Sequence, residues 1–243
     1  MKIGIKAGHT LTSGAVGLVK ESIEVRTISR AVARMLKEYG YDVIEVAVDT
    51  GNASAALLSG INQLNAAGCD LVLEIHLNAG VGDLYGNGKT TGTEAYIYAD
   101  KSEAKKYARG IVDAIAELGY KNRGVKVKAD FTFLKQTKAP AVLVECFFCD
   151  DLDDVQRYQP EQIAAAIVKG IIGTNGQVQE QQKEIPGSDK DNEPGESTME
   201  PESAFSEGEF YRVQIGAYKN RSNAVAIQTK LLAAGYNAII ICS

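Results

Sequence analysis

The sequence predicts a three-layer α/β/α domain built on a mainly parallel (mixed) sheet. Three observations predict it. The apolar runs Leu71–Ile75 and Ala141–Val144 have the length and residue types of strands buried in a sheet. Segments with apolar residues at helical spacing alternate with such runs, and β-α alternation is the pattern of layered α/β folds. The chain's two histidines, His9 and His76, both follow a strand-like run. Strand exits are where an open α/β sheet keeps its chemistry.

In chain order, residues 2–6 read as the first strand and His9 to Gly17 as a loop of small residues. From Lys20 to Tyr39, apolar residues at Ile28, Val32, Met35, Leu36 and Tyr39 mark an amphipathic helix, which Gly40 stops. Asp42–Val48 is a strand, and Ala53–Ala67 a helix closed by Gly68. The central run from Leu71 leads through His76 into a glycine-rich loop over 80–92, read equally as a rim of the substrate cleft or as plain surface. Thr93–Ala99 alternates as a strand, Ser102–Leu118 is a helix, and Asp130–Leu134 reads as a short strand. After the Pro140–Glu145 strand, Pro160 opens a last helix running to about Ile172.

Length and charge divide the chain further. At 243 residues it holds one mid-sized domain and something small. Residues 174–209 carry ten acids and two bases, in a background of Gln, Ser, Pro and Gly that predicts a disordered acidic linker over 174–208. A strand pattern returns at Glu209, giving a small β-α-β fragment over 209–243. The net charge of −5 thus belongs mainly to the linker, and neither globular part has the basic surface that nucleic acid requires. No apolar run is long enough to span a membrane. The opening Met1-Lys-Ile-Gly reads as strand rather than signal peptide, so synthesis in the cytoplasm is expected. Four scattered cysteines do not make a disulfide framework, and Cys146 and Cys149 are expected to be buried thiols.

The chemistry gathers at the strand exits. In a parallel sheet His9, His76 and Glu145 share one carboxyl edge, and Glu21 at the start of the first helix comes to the same edge. Two histidines and a carboxylate, with room for water, form the open ligand set of catalytic zinc. A further carboxylate is needed to deprotonate that water. His9, Glu21 and His76 are therefore candidate ligands and Glu145 the candidate base, although spacing alone leaves Glu24 in competition with Glu21. Glu145 ends an all-apolar strand, where a carboxylate is costly without a task or a partner. Glu74, inside the central strand, is expected to pair structurally.

Several motifs then carry a resemblance: Gly8-His9, Gly17-Leu-Val-Lys-Glu21, Ile75-His-Leu-Asn-Ala79, Asn122-Arg-Gly-Val-Lys126, and Asp130-Phe-Thr-Phe-Leu followed by Ala139-Pro-Ala-Val-Leu-Val-Glu145. In this order they resemble the zinc-dependent N-acetylmuramoyl-L-alanine amidases of phage endolysins and bacterial autolysins, over residues 1–173. The resemblance implies one zinc held by His9, Glu21 and His76, with Glu145 as catalytic acid/base. The interval from Glu21 to Gly40 also matches that family and favours Glu21 over Glu24. The residue before Ile75 is usually small in the family; here it is Glu74. Arg123 and Asn78 are further candidates, for contact with a substrate carboxylate and for holding the loop after His76.

Residues 209–243 are similar to the first half of a SPOR domain, a peptidoglycan-binding module, through Phe210-Tyr-Arg-Val-Gln-Ile-Gly-Ala-Tyr218. The open edge of that incomplete sheet is a surface through which two chains could pair. The expected function is hydrolysis of the amide between N-acetylmuramic acid and L-alanine, on a cell wall reached after release from the cytoplasm. Two alternatives are a wall-binding regulator with an inactive amidase domain and a zinc peptidase cutting the stem peptide.

Overall fold

A computed structural model describes residues 1–174. The expected linker, the SPOR-like fragment and its pairing edge therefore lie outside the described residues. Within them the order is β1 (Lys2–Ala7), α1 (Glu21–Glu38), β2 (Asp42–Val46), α2 (Ala53–Ala67), β3 (Leu71–Asn78), β4 (Thr93–Ile97), α3 (Ala104–Ala116), β5 (Asn122–Val127), α4 (Thr132–Gln136), β6 (Ala141–Phe148), α5 (Leu152–Val155) and α6 (Pro160–Thr174).

One six-stranded sheet runs β2-β1-β3-β6-β4-β5. The strands β2, β1, β3 and β6 are mutually parallel. β4 runs antiparallel to β6, and β5 parallel to β4. The sheet is thus mixed, with a reversed pair of strands at one side.

Strand alternation sorts the side chains into two layers. Ile3, Ile5, Leu71, Leu73, Ile75, Val142 and Val144 face one way and are buried with the apolar stripes of α1, α3 and α6. Val72 and Leu143 face the other way, against Ile61 and Leu64 of α2 and Phe133 and Leu134 of α4. Each such side chain taken fully from water contributes about 1.5–3 kcal/mol. The second layer is thinner than the first, and Lys6, Glu74, His76 and Glu145 share the strand faces it leaves open near the carboxyl edge.

Helix ends follow local chemistry. The Asn52 side chain accepts from the Ala55 N–H at 2.8 Å, capping α2, and Gly68 closes that helix in the left-handed conformation at φ +66°. Glu21 and Glu24 occupy the first turn of α1, where the helix dipole favours acids.

Two segments differ from expectation. The predicted strand over 130–134 is instead a turn leading into the first residues of α4. Its Phe-x-Phe spacing imitates a strand, but the segment turns helically and packs Phe133 and Leu134 together against Val72 and Leu143 of the sheet. β5 gives only a weak apolar signal, Val125 and Val127, because it is an edge strand with Gly124 inside it. No described helix is long and apolar enough to cross a membrane.

Candidate metal centre

Three parallel strands bring the site together. β3 pairs with both β1 and β6, so their carboxyl ends share one edge. His76 and Glu145 are register partners across β3 and β6. The register shifts just after His76, between it and Asn78. Such an irregularity re-aims side chains beside a site.

His9 Nε2 lies 3.1 Å and His76 Nδ1 lies 3.0 Å from the same atom, Oε1 of Glu21. The donor atoms of these three residues all fall within 4.8 Å of one another. The imidazoles stand edge to face, with ring centroids 4.8 Å apart. Two imidazole nitrogens and a carboxylate oxygen around one point suit zinc and leave a coordination position open. Glu24, the competing acid, points elsewhere and accepts from the Tyr158 hydroxyl at 2.8 Å.

The backbone around these three residues is specialised. His9 has φ +60°, the left-handed region that non-glycine residues seldom enter. Such strain clusters at functional sites. Arg26, buried on α1, holds that residue through an N–H to the His9 carbonyl at 3.2 Å and is itself paired with Asp49. At Gly8, an added Cβ would lie 2.5 Å from Cε1 of the His76 ring. Glycine at position 8 is therefore required by the approach of the chain after β1 to the His76 ring.

Electrostatics tie the group together. Burial by itself would raise the Glu21 carboxyl, but His76 and His9 hold it far below the usual carboxylate range. The Ala15 N–H adds a bond to its Oε2 at 2.7 Å, and the Leu77 N–H another to Oε1 at 3.1 Å. Burial would lower His76, yet Glu21 and Glu74 carry it up to about 10. The buried carboxylates Glu21 and Glu74 thus favour positive charge at this point.

Glu145 stands apart from that arrangement. Its Oε2 is buried and has no hydrogen-bond partner among the described residues. Burial pushes its carboxyl up to about 7, opposed by His76 and assisted by Glu21. A cleft of about 400 Å³ opens beside the site, with Lys6, His9, Glu74 and His76 at one end and Leu57 and Phe131 among its apolar walls.

Arg123 and Asn78 do not join the three-residue group. Both bind Glu94, a buried residue of β4 to which sequence reasoning gave no role. Asn78 Nδ2 donates to Glu94 Oε1 at 3.0 Å, and Arg123 Nε donates to Oε2 at 2.6 Å. The Asn78 Oδ1 also accepts from the N–H of the next residue, Ala79, at 2.9 Å. The available signal for Glu94 was an acid inside an alternating strand, costly to bury without a partner. Lys6 was missed too, although a lysine inside Ile3-Gly-Ile-Lys-Ala7 is as costly to bury as Glu145. Cys146 and Cys149 are buried free thiols, as expected.

The 80–92 loop is sewn to the segment after β6 by aspartates. Asp150 Oδ2 accepts the N–H groups of Gly80 and Gly82 at 2.8 and 2.9 Å. Asp153 Oδ2 accepts those of Asn87 and Gly88 at 2.7 and 2.8 Å, and Asp154 Oδ2 that of Gly92 at 2.9 Å.

The family model described as N-acetylmuramoyl-L-alanine amidase matches residues 3–173, and a SPOR domain model matches residues 203–241. An uncharacterised protein of Clostridium perfringens is 35% identical over 176 residues, covering 70% of this chain and 51% of its own length. The chain thus spans about half of that relative. The N-acetylmuramoyl-L-alanine amidase CwlM of Bacillus licheniformis is 25% identical over 246 residues, 99% of this chain and 85% of that protein. Among solved structures, the catalytic domain of the CD27L endolysin targeting Clostridia difficile superposes with a TM-score of 0.63 at 31% identity. That match covers 71% of this chain and 97% of the endolysin domain.

Proposed function

We propose a function on one premise: the chain belongs to the N-acetylmuramoyl-L-alanine amidase family through residues 3–173. Residues 1–173 are a zinc amidase domain, 174–208 a linker, and 209–243 a SPOR-like part that engages peptidoglycan. The substrate is the amide between the lactyl carbonyl of N-acetylmuramic acid and the L-alanine of the stem peptide. The observation that carries this reading is the convergence of His9 Nε2, Glu21 Oε1 and His76 Nδ1 beside a buried Glu145 oxygen that has no partner among the described residues.

One zinc per domain, held by His9, Glu21 and His76, would supply Lewis-acid polarisation and a lowered pKa for bound water. Glu145 takes a proton from the attacking water and delivers it to the leaving alanine nitrogen. A carboxyl near 7 is suited to both halves of that transfer. Arg123 engages Glu94 through Nε, which leaves its terminal nitrogens to meet a carboxylate of the stem peptide. Asn78 contributes through Glu94 and through its own loop.

Digestion of purified sacculi with the full chain, followed by mass spectrometry, tests the reading. Stem peptides with a new L-alanine amine and intact muramic acid are expected. Cuts within the stem peptide would assign a peptidase instead. Retention on sacculi without any new amine would leave a wall-binding protein.

A further inference from the structure

β3 carries a second carboxylate that the proposed hydrolysis does not use. Glu74 lies two residues before His76 on the same strand face, and its side chain is only 4% exposed. Its partner is set by register: Lys6 of β1 stands directly opposite Glu74. Lys6 Nζ lies 2.7 Å from Glu74 Oε1 and also donates to the Ala7 carbonyl at 3.1 Å. Replacing such a buried ion pair by apolar side chains of similar volume is often neutral or stabilising, so fold stability alone does not account for it.

The remaining Glu74 oxygen gives a better account. Oε2 lies 3.5 Å from His76 Nε2, while Nδ1 of the same ring faces Glu21 and His9. Gly8 closes in on the ring at Cε1, between its two nitrogens. A histidine that ligates through one nitrogen needs an acceptor for the proton on the other, because that bond fixes both tautomer and ring plane. Such an acceptor must itself be held in place. Lys6 does that by occupying the other carboxylate oxygen.

We propose that Lys6 and Glu74 are positioning residues for the metal centre. Lys6 holds one oxygen of Glu74 so that the other accepts the Nε2–H of His76, keeping Nδ1 as a lone-pair donor towards His9 and Glu21. The inference rests on the reading of His9, Glu21 and His76 as ligands. It adds that metal affinity is set in part from beneath the ligands, by a lysine–glutamate pair spanning β1 and β3.

The test is zinc affinity by competition with a chromophoric chelator, on the full chain and three variants. Glu74→Leu combined with Lys6→Met removes both charges together and leaves no lone buried ion. Its zinc affinity is expected to fall by about 10–100-fold, the usual cost of losing such a partner. Glu74→Gln with Lys6→Met keeps an acceptor facing Nε2, and its affinity is expected to recover to within several-fold of wild type. Wild-type affinity in the leucine variant overturns the proposal. Equal weakness in the glutamine variant also overturns it, because side-chain shape would then be the cause. His76→Ala is the separate control: if wild type takes up no zinc, or His76→Ala binds it as tightly, the ligand reading itself fails. In zinc-loaded wild type, heteronuclear NMR should find a slowly exchanging proton on His76 Nε2. A ring with no proton there overturns the proposal whether or not the variants fold.

Discussion

Glu94 and Glu145 are register partners across the antiparallel pair β4 and β6, so their carboxylates stand side by side on one sheet face. Their surroundings drive them apart. Both are raised by burial. At Glu94 that is overcome by Arg123 Nε at 2.6 Å, Lys126 Nζ at 2.5 Å and the Tyr96 hydroxyl, which bring its carboxyl down to about 2. Glu145 has no such donors and is pushed up to about 7. Neighbouring carboxylates separated in this way are suited to different tasks, one charged and fixed, the other able to exchange protons near neutral pH.

Glu145→Gln should therefore separate chemistry from metal binding. Zinc content should match wild type, while kcat falls by about 10²–10⁴, the range for loss of a general acid/base. A fully active variant would remove Glu145 from the mechanism.

The same substitution should stabilise the metal-free protein at neutral and alkaline pH. The folded carboxyl titrates near 7 against an ordinary 4.5, so the folded state binds a proton that the unfolded state has released between those values. Stability contributed by this group falls as pH rises through that window. Glu145→Gln escapes the loss, with a gain of about 3 kcal/mol at pH about 8 and almost none at pH about 4. Thermal unfolding of the metal-free proteins across that range measures it.

Glu94 has the opposite sign. Its carboxyl is depressed, so its contribution is present above the ordinary 4.5 and is lost as pH falls from there through about 2. Glu94→Gln should flatten the acid side of the stability curve. It should also lower stability at neutral pH, since Arg123 and Lys126 lose their shared partner. Acid titration followed by circular dichroism would show both effects.

Glu21→Gln and Glu24→Gln distinguish the two acids of the first helical turn. The first should lose zinc, because Oε1 of Glu21 is the point on which both histidines converge. The second should retain it and lose only a bond from Tyr158. Metal analysis after gel filtration decides between them.

Gly8→Ala should weaken zinc binding even though the substitution adds only a methyl group. That methyl would lie 2.5 Å from the His76 ring, so ring or strand must shift. Overpacking of this kind costs about 1–3 kcal/mol. Chelator competition and thermal unfolding should both register the change.

Much of this was legible in the sequence, for physical reasons. Leu71–Ile75 and Ala141–Val144 are buried by the sheet, so their apolar runs announce them. His9, Glu21, His76 and Glu145 could be proposed together because parallel strands deliver their exits to one edge. What stayed hidden depends on cross-strand register. Nothing in the linear order says that Lys6 faces Glu74, or that Glu94 will collect Arg123 and Lys126 from an edge strand with a weak apolar pattern. The helix at Thr132–Gln136 was hidden for another reason: five residues are too few for period 2 and period 3.6 to be told apart.

The aspartates over 150–154 make two distant stretches of chain one mechanical piece. The segment leaving His76 and the segment leaving Glu145 cannot drift separately, since backbone groups of the first are held by carboxylates of the second. Freedom to change length is left to the tip, where Tyr85 is 93% exposed. Exchange of this loop between related enzymes therefore has a minimum unit. A graft of 80–92 that leaves its own 150–154 behind would carry a glycine-rich strip with no clasp, and the segments leaving His76 and Glu145 would lose their common ruler.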